Sequence, residues 1–413
     1  MIGVNRPLEL LSPAGDMQRL KYALAYGADA VYLAGQQFGM RSGPSNFTFE
    51  ELKAACDLAH ENGKKIYLTC NTLPRNSEAA QLPDFLKNAC RCGVDAFIIA
   101  DVGTLMLAKK HCPDVPVHIS TQAGIVNYET ARAFYEMGAS RIVTARELSL
   151  NEIREIRDKT PPELEIEAFV HGAMCMSFSG RCILSDYLTN RDANRGDCAQ
   201  PCRWKYYVME ESRPGRYFPV CEDEKGTYLF NSRDLCMLEH LPELDAAGID
   251  SFKIEGRAKS EYYTAAVTFA YRSALDAYLQ NRSADFRLEP WMVQELQKMS
   301  HRPYTTGFYF GPMKDGQTLD DGGYIRTWDV AALYASSSDG RVTVCQRNRF
   351  FEGDTLEILQ PGCRPVQLVV QHLYNENDGE FTSAANKATN RYSFDCSLDL
   401  HPFSIFRKVR ETL

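Results

Sequence analysis

The 413-residue chain lacks much of what several protein classes require. No apolar run approaches the roughly 20 residues that cross a bilayer. The opening stretch, MIGVNRPLELLSPAGD, has no charged-then-apolar secretory pattern. A cytoplasmic location and no membrane partner are therefore expected. Histidine is scarce, with 8 residues, and none stands at zinc-finger spacing from a cysteine pair. HExxH and GxSxG are both missing, which removes the familiar zinc and serine hydrolase signatures. Positive charge is not in excess either: the net charge of −8 gives no bulk attraction for nucleic acid. A local basic groove is still allowed, because patches rather than totals bind phosphate.

What is present is an even alternation. Short apolar runs begin at Leu8, Ala30, Lys65, Ala96, Val117, Arg141, Ile166 and Ser251, and amphipathic helical segments separate them. Helices are expected over residues 17–26, 50–61, 83–92, 129–137, 150–159 and 261–279. A small motif recurs at the helix-to-strand joints: YGADAVYLA, CGVDAFIIAD, MGASRIVTARE and AGIDSFKIEGR. It reads as a C-cap glycine feeding a buried parallel strand. Eight such strands predict an α/β fold, a (β/α)8 TIM-like barrel, over about 280 residues. An open doubly wound sheet is the alternative, but no GxGxxG phosphate loop opens the first unit. The expected domains are 1–310 for the barrel, 311–322 for a linker and 323–413 for a tail. The tail changes to short strands separated by Asp-Gly and Pro-Gly turns, so a small C-terminal antiparallel β-barrel domain is expected there.

Between the seventh and eighth strands the even spacing breaks. An insertion at 173–250 holds Cys175, Cys182, Cys198, Cys202 and Cys236 of the 14 cysteines. In a barrel this position lies at the C-terminal ends of the strands, where active sites are built. A reducing compartment makes a disulfide framework improbable and favours a metal or cluster. Cys175-x6-Cys182 is not zinc-ribbon spacing, so a four-thiolate set gathered from separate loops fits better. That set is Cys175, Cys182, one of Cys198 or Cys202, and Cys236, a soft donor group suited to Fe–S or zinc.

The run Glu167-x-Phe169-x-x-Gly172-Ala173-Met174-Cys175-x4-Gly180-x-Cys182-x-Leu184-Ser185 resembles the signature of the peptidase family U32 proteins. LLSPAGD, GADAVYLA, NSRDLC and KIEGR match that family's pattern too. The resemblance covers about residues 7–310, and more weakly the tail. Members were named as collagenase-like peptidases, yet the resemblance implies iron–sulfur hydroxylases that work without molecular oxygen. Length and tail look most similar to the branch that converts wobble uridine of tRNA to 5-hydroxyuridine, with prephenate as hydroxyl source. Other branches act on ribosomal RNA or a quinone precursor. The resemblance implies a 4Fe–4S cluster on Cys175, Cys182, Cys198 and Cys236, tRNA and prephenate as partners, and a homologous U32 subunit as a further one.

His171 and Glu167, on the seventh strand, are the candidate catalytic groups, His171 as a proton carrier. Prephenate is a dianion, so arginines should clamp its carboxylates. Arg257, Arg233, Arg203 and Arg41 are the candidates, with Asn71 at a strand end beside them. The run Cys202-Arg203-Trp204-Lys205-Tyr206-Tyr207 mixes cations and aromatics as RNA contacts do. The rival reading is a peptidase, for which a thiol nucleophile would use one cysteine and leave the others idle.

Overall fold

The computed structural model describes residues 6–40, 46–174, 182, 184–193, 196–201, 221–223, 226–228, 233–311 and 324–410. Its first domain is the expected closed barrel. Seven parallel strands, β1 (Glu9–Pro13), β2 (Ala30–Ala34), β3 (Lys65–Cys70), β4 (Ala96–Ile99), β5 (Val117–Ile119), β6 (Arg141–Val143) and β7 (Glu165–Ala173), pair in sequence order. The eighth, Ser251–Ile254, pairs in parallel with both β7 and β1 and closes the ring. Alternation along the strands sorts the core into two. Outward residues such as Leu10, Val31, Leu68 and Phe97 pack under the helices. Leu11, Tyr32, Tyr67 and Ile98 point into the barrel.

The recurring joint motif does more than stop helices. Gly27, Gly93, Gly138 and Gly248 all have left-handed φ, between 88° and 98°, which only glycine adopts at little cost. Two residues later comes an acid or serine. Asp29 N–H donates to the Leu10 carbonyl (3.0 Å) while its carboxylate accepts the Leu10 N–H (2.9 Å). Asp95 clips Ile66 in the same reciprocal way (2.8 and 2.7 Å), and Asp250 clips Ile166 (2.7 and 2.7 Å). Each clip satisfies the first backbone groups of one strand from the start of its neighbour. The N-terminal rim of the barrel is thereby tied off, which leaves the opposite rim for loops.

The tail is a separate antiparallel sheet domain with its own core, including Val342, Val344, Phe350, Ile358, Tyr392 and Phe394. Eight of its strands join in one hydrogen-bonded sheet whose long central strand is Trp328–Ser338, flanked by Ile405–Val409 and Arg341–Gln346. It docks on the barrel through a desolvated ion cluster. Arg407, fully buried, donates to Glu295 Oε2 (2.7 Å) on the barrel-side helix Pro290–Gln297, to Glu357 (2.9 Å from Nε) and to the Tyr262 hydroxyl (3.0 Å). Tyr26 of the barrel donates to the carbonyls of Leu359 and Phe403 across the same seam.

Candidate active site at the barrel mouth

The C-terminal ends of the strands converge polar groups on one mouth. Arg257, 3% exposed, follows the eighth strand and donates to the Thr69 hydroxyl on β3 (3.1 Å). Asn71, just past β3, accepts from the Met40 N–H (3.1 Å) and donates to Ser120 beyond β5 (3.2 Å), so its amide orientation is set. Across the mouth, Arg146 lies 3.8 Å over the Phe169 ring and pairs with Glu255 (3.1 Å). Arg146 and Glu255 are not among the candidates raised from the sequence.

β7 runs on past the barrel wall. Its last residues pair antiparallel with the short strand Asp234–Cys236, with Asp234 opposite Ala173 and Cys236 opposite His171. Gly172 makes this extension feasible: its φ is +109°, and a Cβ there would sit 2.5 Å from the Glu255 carbonyl. Asp234 is fixed in turn by Arg302 (2.7 Å), and that guanidinium holds its carboxyl below the usual range against the opposing effect of burial. The Asp234–Cys236 strand is thus locked to the mouth by a buried ion pair.

His171 is 1% exposed and walled by the rings of Tyr263, Tyr271 and Tyr304, with centroids at 6.1, 5.5 and 5.4 Å. Its Nδ1 has no hydrogen-bond partner among the described residues. Burial pulls its pKa down to about 3, partly opposed by Asp234. Glu167 is placed elsewhere. It is fully buried inside the barrel, with Lys253 Nζ 2.6 Å from one carboxylate oxygen and Arg141 3.0 Å from the other. Arg141 also binds Glu9 (2.6 Å) and Glu165 (2.7 Å). Both oxygens of Glu167 are committed below the mouth, so the carboxylate is a strut of the barrel interior and not a group facing substrate. The sequence shows only that Glu167 lies on the seventh strand; its depth follows from the barrel's register.

Of the expected clamp, Arg257 and Arg233 lie among the described residues. The Arg233 Nε is buried with no partner among them. Arg41, Arg203, Cys175 and Cys202 lie outside the described residues, as does the 203–207 aromatic run. Cys182 precedes the helix Leu184–Thr189, and Ala199 N–H donates to the buried Ser185 hydroxyl in that helix (2.9 Å). This bond draws the Cys198 segment back towards the helix end where Cys182 sits. Cys198 Sγ accepts the Gln200 N–H at 3.3 Å. Burial pushes the Cys236 thiol up to about 11, opposed by donation from the Leu238 N–H and the Tyr271 hydroxyl. No disulfide joins two described cysteines. Soft sulfur donors that accept N–H groups suit a thiolate-bound cluster. Among the described residues alone, however, no three His, Cys, Asp or Glu side chains gather to hold an ion.

Comparison with known proteins agrees with this layout. The sequence matches Peptidase family U32 over residues 15–318 and the Peptidase family U32 C-terminal domain over residues 326–407. It is 36% identical to tRNA hydroxylation protein P1 of Bacillus subtilis (strain 168), covering 98% of this chain and 96% of that one. It is also 36% identical to tRNA hydroxylation protein P of Escherichia coli (strain K12), covering 89% of each. Identity reaches 47% with the uncharacterized protease MJ0090 of Methanocaldococcus jannaschii, over 73% of each chain. Because the match runs through barrel and tail alike, the chain belongs to peptidase family U32 and carries that family's C-terminal domain.

Proposed function

We propose that the protein is an RNA hydroxylase that converts the wobble uridine of tRNA to 5-hydroxyuridine without molecular oxygen. The observation that carries this reading is the end-to-end match to proteins named for tRNA hydroxylation, one of which the chain covers at 96% of its length. In this reading a 4Fe–4S cluster is held by Cys175, Cys182, Cys198 and Cys236, and when bound it supplies one-electron chemistry. Prephenate supplies the hydroxyl. Its two carboxylates would take the guanidinium groups of Arg257 and Arg233; the Arg233 Nε is buried with no partner among the described residues, and such a nitrogen favours an anion. Asn71, held by Met40 and Ser120, would orient a carbonyl, and the aromatic rings around His171 keep that imidazole from water.

The geometry disfavours a peptidase. No histidine side chain is hydrogen-bonded to a serine, threonine or cysteine side chain among the described residues; the imidazoles of His60, His240, His301, His372 and His401 bond carboxylates or backbone instead. No nucleophile is therefore paired with a histidine base there. The test is mass spectrometry of tRNA nucleosides from a strain lacking both this chain and any paralogue. Loss of 5-hydroxyuridine-derived wobble nucleosides, restored by wild type but not by Cys182→Ala, is expected. An unchanged nucleoside profile, or gelatin cleavage by colourless iron-free protein, would overturn the reading. Altered ribosomal RNA with intact tRNA would instead reassign the substrate.

A further inference from the structure

A second concave feature adjoins the mouth. The loop after the eighth strand runs from Arg257, at the mouth, to Lys259, at the head of a groove of about 420 Å³ between barrel and tail. Tyr263, Tyr324, Arg326, Trp328 and Asn348 line it with Lys259. Lys259 Nζ sits between two rings, 4.6 Å from the Tyr324 centroid and 5.5 Å from that of Tyr263. Tyr263, which lines the groove, also walls His171, with ring centroids 6.1 Å apart. The groove therefore opens beside the candidate site.

Tyr324 is 45% exposed. It is not loosely placed. His301 and the adjacent Ile325 exchange backbone hydrogen bonds of 3.1 and 2.7 Å, and His301 stacks at 4.3 Å on Tyr304, which walls His171. The ring is thus held at a fixed height beside the mouth, partly open to solvent and with Lys259 and Arg302 against it (4.6 and 6.0 Å from its centroid). Arg326 is half in solvent and pairs with Asp329 at 2.6 Å. Arg347 and Arg349, both exposed, flank Asn348 on the tail side. A partly exposed aromatic ring with cations on both banks suits a base stacked between phosphates, and fits neither duplex RNA nor an apolar ligand.

We propose that this groove is a binding site for single-stranded RNA next to the reacting nucleotide, a reading that rests on the RNA hydroxylase assignment. A flanking base stacks on Tyr324, and its phosphates lie against Lys259 and Arg326. The tail then contributes to substrate binding through the seam it forms with the barrel.

The test is binding of a full-length unmodified tRNA transcript by fluorescence anisotropy, across a salt series. Tyr324→Ala should weaken binding about 5- to 100-fold, the usual range for losing one base–aromatic stack. Tyr324→Phe should bind like wild type, and the melting temperatures of both should match it. Lys259→Ala and Arg326→Ala should each reduce the slope of log affinity against log salt by about 0.7. Unchanged affinity in Tyr324→Ala together with unchanged slopes, while wild type binds and hydroxylates tRNA, overturns the groove and leaves the enzyme assignment standing. Wild type that neither binds tRNA nor restores its modified nucleosides overturns both.

Discussion

Replacing Glu167 by alanine separates a strut from a catalyst. The carboxylate is fully buried and receives Lys253 at 2.6 Å and Arg141 at 3.0 Å. Arg141 keeps two other carboxylates, Glu9 and Glu165, so it survives the change. Lys253 does not. Its remaining company is the ring of Tyr32 at 4.5 Å and that of Phe169 at 5.5 Å, and ring faces offset only part of an ammonium's desolvation. Removing one partner of a buried pair typically costs about 3–5 kcal/mol. Urea unfolding followed by circular dichroism should show a loss of that size for Glu167→Ala. The double variant Glu167→Met, Lys253→Met should recover most of it, since volume is kept and no charge is stranded. Hydroxylation per folded molecule should stay within a few-fold of wild type in the double variant. A Glu167→Ala protein as stable as wild type but inactive would refute the structural role and restore the carboxylate to the mechanism.

Two further outcomes follow from the buried charges. Arg407→Ala strands Glu295, which is fully buried, and should loosen the tail from the barrel; Lys298, 3.6 Å from Glu295, limits the cost to about 2–4 kcal/mol. A new early transition in urea, removed by adding Glu295→Met, would be seen by tryptophan fluorescence, and a single unshifted transition would refute the docking role. Asp245 is buried, which raises its pKa, but Arg282 at 2.6 Å and Tyr278 at 2.7 Å outweigh that and leave it below the usual value. Its stabilisation is therefore complete above the ordinary aspartate pKa of about 3.9 and is lost as pH falls through the lower native value. Asp245→Asn should be less stable at neutral pH and show a shallower acid limb; an unchanged acid limb would refute it.

The barrel was legible because its cues are local. Each strand is a short apolar run, five of the intervening helices run into a glycine (Gly27, Gly63, Gly93, Gly138 and Gly248), and the order of the pairing follows the order of the chain. The left-handed glycines at 27, 93, 138 and 248 sit where the repeated motif put them. What was not legible is what the acid two residues later does, because its partner is a backbone group on the preceding strand. Glu167 failed for a related reason. The sequence puts it on the seventh strand, but only the register across eight strands tells how deep it lies. In the tail, Arg407 looks like one charge in the run FSIFRKVR, yet its carboxylate partner lies 112 residues away. Among the candidate site residues, the sequence brought Arg257, Asn71 and His171 to strand ends, where the structure also has them. Arg146 and Glu255 were indistinguishable there from other polar strand ends until their pairing across the mouth was seen.

These buried charges share a pattern that bears on function. The interior cluster of Glu167, the Asp234–Arg302 pair and the Arg407 cluster lie below, beside and behind the mouth. Each is desolvated, so each contributes little net stability relative to apolar packing but strongly penalises any displaced arrangement. The first fixes the floor of the barrel. The second fixes the segment that carries Cys236 opposite His171. The third fixes the tail and so the groove around Tyr324. The reaction proposed above, which would bring a small dianion and one nucleotide of a large RNA to the same point, needs such fixed geometry, because misplacement of a reacting atom by about 1 Å can cost 100-fold in rate. The charges that look wasteful as sources of stability are explicable as the means of holding three separately encoded surfaces in register.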